Sequence, residues 1–168
     1  MTPETVSILR EAYISAFESE IPVTRKVIAA IPEGAKEYRP DPKGRTAFEL
    51  AHHIVTAEIQ MLHEVADGVF SMEERIKERP TTVAGLLALY DQELPQALAR
   101  VKALPAGELA KIVDFYGAFQ LPNVVYVSFV TMHTIHHRGQ LSAYLRPMGS
   151  QVPAIYGGSA DEPWSPES

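Results

Sequence analysis

Apolar residues recur at helical spacing in four long segments of the chain. In the first, from Thr2 to about Ile31, the residues Val6, Leu9, Ala12, Tyr13, Ala16, Phe17 and Ile21 fall at intervals that place them on one helical face. Pro22 interrupts this pattern. A proline inside a helix removes a hydrogen bond and crowds the preceding turn, so it predicts either a kink or a second helical piece that begins there. Ile31-Pro32-Glu33-Gly34 stops the segment, and an irregular connection with Pro40 and Pro42 comes next.

The second helix is predicted to start near Thr46, a cap with Glu49 placed to complete a capping box, and to run to about Asp67-Gly68. Its apolar residues, from Phe48 through Val65, cover more than one face, which predicts burial between neighbours with His52 and His53 inside the apolar surface. Met72 to Arg79 is a charged connector with room for a short helix. Pro80-Thr81-Thr82 opens the third helix, which carries Leu86, Leu89, Tyr90, Leu94, Leu98 and Val101, and which Pro95 should bend. Glu108 to Asn123 reads as a linking segment containing Phe115, Tyr116 and Phe119.

Two readings compete over the fourth segment, Val124 to Arg146. Val124 to Thr131 is rich in residues that favour strands. No turn signal separates these residues from the rest of the segment, however, and one helical stripe continues through Tyr126, Phe129, Val130, His133, His137, Leu141 and Tyr144. Helix is the prediction. After Pro147-Met148-Gly149 the chain should be extended and irregular. Four amphipathic segments without hairpin signals predict an all-α four-helix bundle, a single domain over residues 1–168 with an irregular C-terminal tail from about residue 147.

Composition narrows the function. The chain is acidic, with a formal charge of −6 and no Lys/Arg cluster, which argues against a sequence-independent grip on nucleic acid phosphates. No apolar run is long enough to span a bilayer, and Met1-Thr2-Pro3-Glu4 is not the start of a signal peptide, so a cytoplasmic protein with no membrane partner is expected. There is no cysteine. Any metal must therefore be held by His, Asp or Glu, and any thiol chemistry must use a thiol brought by a substrate.

His133 and His137, one helical turn apart, point the same way and can grip one metal ion; two core histidines bonded to backbone or tyrosine are the alternative. A histidine from the second helix, His52 or His53, would make three ligands with a fourth position left open, and periodicity does not choose between the two. Sharper motifs fail. A zinc protease needs Glu directly after the first histidine, where Thr134 stands. A di-iron bundle needs two Glu-x-x-His motifs; Glu49 and His52 supply one, but Val130, His133 and Thr134 precede the other histidines at that spacing. The Gly-x-Ser-x-Gly elbow of a serine hydrolase is absent.

Three stretches together carry a resemblance: Phe48-Glu49-Leu50-Ala51-His52-His53-Ile54-Val55-Thr56-Ala57-Glu58, His133-Thr134-Ile135-His136-His137-Arg138-Gly139-Gln140-Leu141, and Val152-Pro153-Ala154-Ile155-Tyr156-Gly157. The chain resembles the DinB/YfiT-like metal-binding family over essentially its whole length. The resemblance implies an up-and-down four-helix bundle, often a homodimer, with one divalent metal ion on three histidines near one end; all-nitrogen ligation suits Zn, Ni, Fe or Cu. It implies no DNA binding. Carried over, its pattern assigns the metal ligands to His53, His133 and His137.

Glu49, Glu58 and Gln140 lie within helical reach of the ligands' second ring nitrogens, although a solvated or ion-paired face is the expectation for the glutamates; His52 and His136 are expected to support or pack against the site. His63 should lie at the surface. Arg138 is expected to pair with an acidic residue, Gly139 to admit the close approach of another backbone, and Tyr156 to pack over the bundle end near the metal or to act as a surface latch. Some relatives in the superfamily are thiol-dependent transferases or isomerases. The resemblance thus implies a metal-dependent transferase or hydrolase acting on a small molecule, with a low-molecular-weight thiol as cosubstrate, or else a stress-response protein whose metal is structural.

Overall fold

The computed structural model describes residues 1–164. Four long helices, α1 (Pro3–Ala29), α2 (Ala47–Asp67), α3 (Val83–Lys102) and α5 (Val125–Leu145), enclose one apolar core. Between α3 and α5 the chain forms a short helix, α4 (Ala106–Ala110), and an antiparallel hairpin of β1 (Ile112–Phe115) and β2 (Phe119–Pro122). Helix α5 packs on α1 and α2, and α3 packs on α2 and α1, so the order around the bundle is α1, α5, α2, α3. This order sets α2 beside α5, the two helices that carry the histidine motifs. No helix among the described residues is long and apolar enough to cross a membrane.

Local chemistry explains the ends of α2. Thr46 Oγ1 accepts from Glu49 N at 3.1 Å and Glu49 Oε2 accepts from Thr46 N at 2.7 Å, the predicted capping box. At the other end Gly68 turns left-handed with φ of 68° and its N–H returns to Glu64 and Val65. Pro22 neither ends nor restarts α1, which runs through it. The one hydrogen bond that the proline removes is outweighed by packing on both sides, where Phe17, Thr24, Val27 and Ile28 are buried. The connector from Val69 to Thr82 holds no helix.

The region read as a plain link is the main correction to the fold. Ile112-Val113 and Phe119-Gln120-Leu121 pair across a turn in which Tyr116 and Gly117 both take positive φ, 51° and 76°. Tyr126 Oη donates to Val113 O at 2.7 Å and accepts from Leu121 N at 3.0 Å, pinning the hairpin to the start of α5. Phe70, Phe115, Phe119 and Phe129 pack around that tyrosine with ring centroids 4.7 to 6.3 Å from it. Strand-forming residues at the start of α5 thus sit in a helix because tertiary packing takes them as a core face.

The buried face of α5 is rotated slightly from the predicted stripe. Its centre carries Val127, Val130, Thr134, Arg138, Leu141 and Leu145, and leaves His133 and His137 half-buried at its margin. Gly139 lies outside this face. Contrary to the expected close approach, nothing stands within 4 Å of where its Cβ would be. Its conformation is helical, so Gly139→Ala is expected to stabilise the fold by about 1 kcal/mol, read as an increase in the urea midpoint with an unchanged slope.

Candidate metal centre

Helix α2 contributes His53 and helix α5 contributes His133 and His137. Their Nε2 atoms converge: His53 Nε2 lies 3.1 Å from His133 Nε2 and 3.2 Å from His137 Nε2. The i, i+4 spacing of the pair on α5 sets both rings on one side of that helix, and the α2–α5 contact brings the third ring edge-on to each, with centroids 4.9 and 4.6 Å away. Among the described residues these three form the one His/Asp/Glu group able to share a metal ion.

The protonation pattern shows why these atoms suit a cation. His137 Nδ1 lies 2.8 Å from Gln140 Oε1, while Gln140 Nε2 lies 3.2 Å from His136 Nε2. With the amide oriented this way, its oxygen accepts from His137 Nδ1–H, and the neutral ring keeps its lone pair on Nε2, facing the cluster. Burial, with the charges of Arg45 and neighbouring imidazoles, lowers His53 to about 4; burial and the neighbouring imidazoles also lower His133 to about 4, and burial depresses His137. With neutral rings, the two short contacts of His53 are met at best by one Nε2–H shared between two acceptors. An ion held at the usual ~2.1 Å from imidazole nitrogen spaces tetrahedral donors by about 3.4 Å, close to the separations seen. The residues fit a divalent cation. One feature is unsatisfied: His133 Nδ1 is buried with no hydrogen-bond partner.

The other residues singled out by sequence fall in distinct places. Gln140 contacts His137 directly, and His136 packs on His137 with centroids 4.8 Å apart while receiving the Gln140 amide. His52 lines the cavity beside the cluster. Glu49 is spent on the capping box and on Arg39 and does not reach the histidines. Tyr156 does not cover the site; its hydroxyl donates to Glu20 Oε2 at 2.9 Å and accepts from Arg138 at 2.7 Å, the latch arrangement. Arg138 finds its acidic partner in Glu20, at 2.6 Å. His63 is partly exposed and lies 2.8 Å from Arg100 Nη1.

Glu58 corrects the expectation of a solvated glutamate. It is fully buried and accepts from Tyr90 Oη at 2.7 Å and Thr134 Oγ1 at 2.8 Å. Burial pushes its carboxyl up to about 7, while the two hydroxyls and the Arg138 charge hold it back. The folded state therefore binds a proton that the unfolded state has released between about pH 4.5 and 7, and that proton's contribution to stability is lost as pH rises through the folded value. Glu58→Gln should remove this slope: wild type should lose stability relative to the variant, by on the order of 3 kcal/mol at most, from pH 5 to pH 8 in urea titrations.

A cavity of about 400 Å³ opens beside the cluster, with His53 and His133 in its wall. Ala57 and Met61 of α2, Met72 and Ile76 of the connector, and Phe115 and Tyr116 of the hairpin give it an apolar lining. Sequence reasoning did not find Tyr116. The available signal was Tyr116-Gly117 between two strand-like runs, a hairpin turn pattern. Nor did it find the Tyr90–Glu58–Thr134 link, which joins side chains from three helices and has no local pattern.

A family model described as "DinB family" matches residues 5–167. The chain is 26% identical over 154 residues to YrdA of Bacillus subtilis (strain 168), covering 91% of this chain and 90% of that protein. It is 27% identical over 138 residues to YjoA of the same organism, covering 81% and 88%. Two crystal structures share the fold. A DinB-like protein, YjoA from Bacillus subtilis, superposes with a TM-score of 0.73 at 24% identity, covering 86% of this chain and 97% of that one. A DinB-like protein from Bacillus cereus ATCC 10987 gives 0.71 at 25% identity, covering 87% and 97%.

Proposed function

The chain belongs to the DinB family, and from that premise we propose that it is a metal-dependent enzyme in which His53, His133 and His137 hold one divalent transition metal ion beside a substrate cavity. The convergence of three Nε2 atoms, with His137 oriented by Gln140, carries this reading. Zinc, nickel and iron all suit an all-imidazole donor set. Bound there, the ion would lower the pKa of a water or thiol at the position that the protein leaves open.

The chain's own residues do the rest. Gln140 fixes the ring of His137, and the neutral histidines present lone pairs to the centre. The cavity wall shields the adjoining space from water and orients what enters it. The chain has no cysteine, so a thiol nucleophile would come from a low-molecular-weight cosubstrate, making the reaction a thiol transfer to a small molecule; hydrolysis uses the same site with water. The open position and the cavity favour turnover over a purely structural metal.

Elemental analysis of the purified protein tests the metal. Thiol consumption by metal-loaded protein, with bacillithiol, mycothiol or glutathione and a panel of small electrophiles, tests the transfer. Stoichiometric metal without turnover of thiol or ester substrates, together with a melting temperature that collapses on chelation, would establish the structural reading instead. The same premise carries the expectation of a homodimer, which sedimentation of the purified chain checks.

A further inference from the structure

The wall of the cavity is held in place by a buried carboxylate that touches none of the histidines. Glu64, fully buried, accepts from Gln60 Nε2 at 3.1 Å, from Ser71 N at 3.1 Å and from Tyr116 Oη at 2.7 Å. One side chain of α2 thereby fixes both the connector and the hairpin. Tyr116 needs such a hold, because its φ of 51° lies in the left-handed region that a residue with a side chain enters at a cost. Strain maintained at a cavity wall, by hydrogen bonds made for nothing else, marks that wall as a shaped surface. Phe115 and Tyr116 face Met61 and Ala57 across a space large enough for one aromatic ring and its substituents.

The charged groups at this cavity are one cation, Arg79, and one carboxylate, Glu74, beside the histidines. The His52 ring has no protein hydrogen-bond partner among the described residues and borders the cavity. Arg79 borders it too, its guanidinium held by Ile76 O at 2.8 Å and Glu78 O at 3.1 Å. Its carboxylate partner, Glu74, is largely exposed, and such surface pairs contribute little and exchange partners readily. In a chain of net charge −6, Glu74 is the sole acidic residue in the lining, while Arg45 acts on the histidines from nearby.

We infer that this cavity binds a small amphiphilic anion, with a ring-sized apolar body against Phe115, Met61 and Met72 and a carboxylate or similar group taken by Arg79 and His52. This names the class of the molecule that reacts at the proposed metal centre and rests on that reading for the reaction alone. Binding needs no metal: every group involved belongs to the protein, and Arg79 exchanges Glu74 for the ligand's anion.

Methionine methyls report on the cavity directly. Of the five in the chain, Met61 and Met72 line it, whereas Met132 and Met148 do not. The full chain, labelled with 13C-methyl methionine and stripped of metal, is titrated with phenylacetate, phenylacetamide and acetate. Phenylacetate should shift Met61 and Met72 saturably and leave Met132 and Met148 in place, while the amide and acetate should each bind roughly tenfold more weakly. Arg79→Gln should erase the preference for acid over amide. Equal binding of acid and amide to wild type, or no saturable shift at Met61 and Met72, would overturn the inference whether or not the variant folds. Zinc, nickel and iron uptake are measured on the same preparation. Phenylacetate binding by a chain that takes up none of the three metals would refute the metal reading alone, and metal uptake without phenylacetate binding would refute the cavity inference alone.

Discussion

His53→Ala is expected to reduce metal content from stoichiometric to background, with affinity falling by more than ~100-fold, beyond the range seen when residues that merely support a ligand are changed. His53 is the sole histidine that α2 contributes to the cluster, and its Nε2 lies 3.1 and 3.2 Å from those of His133 and His137. Without it, the pair on α5 offers two donors to an ion that needs three to be held with one position open. Gln140→Ala should act in the same direction and less strongly, by about 10- to 100-fold, because it frees the ring of His137 without removing a donor. His136→Ala should do least. Isothermal titration with zinc orders the three variants. Thermal melts give an independent readout: metal at a hundred times its dissociation constant adds about 2.7 kcal/mol, or roughly 5–10 °C, to wild type and nothing to His53→Ala. Stoichiometric zinc in His53→Ala would remove that residue from the ligand set.

The periodicity of the sequence reads out the bundle because each long helix buries one face, and the Thr46 and Gly68 signals bound α2 for the local reasons that they usually do. The hairpin was less visible. Its strands are four residues long, so the alternation of Val113-Asp114-Phe115 and Phe119-Gln120-Leu121 is too short to stand out, and the Tyr116-Gly117 turn was the clearest signal. Spacing gave the His133–His137 pair, but the choice of His53 over His52 depends on how α2 is rotated against α5, which packing decides. The same limit applies to Glu58 and Glu64. Both are charged residues on an apolar helix, and whether such a residue snorkels or is buried depends on partners far away in sequence: Tyr90 and Thr134 for one, Ser71 and Tyr116 for the other. Tyr156 was expected near the metal because it sits in a tail motif. The tail instead brings it to Arg138, on the buried face of α5 that points toward α1.

Arg138→Met is expected to destabilise the fold by about 3–5 kcal/mol, a fall in melting temperature of roughly 10 °C or more, the cost of leaving one member of a buried ion pair without its partner. The Arg138 side chain is 1% exposed and that of Glu20 11%. The guanidinium also donates to Thr24 Oγ1 at 3.2 Å and to Tyr156 Oη at 2.7 Å. With arginine gone, the Glu20 carboxylate keeps the tyrosine hydroxyl and loses its countercharge. Tyr156→Phe removes two hydrogen bonds, to Glu20 and from Arg138, made by a largely exposed side chain, and should cost only about 1–2 kcal/mol. Replacing both members of the pair, Glu20→Leu with Arg138→Met, should recover most of the loss, because no uncompensated charge remains in the core. That recovery separates electrostatics from packing: if the double variant is as unstable as Arg138→Met alone, the loss comes from the arginine's volume and not from its charge. The pair also bears on the metal. Arg138 comes directly after His137 and ties α5 to α1 through Glu20 and Thr24. Zinc affinity in the recovered double variant should therefore fall only if this tie sets the rotation that aims His133 and His137 at His53.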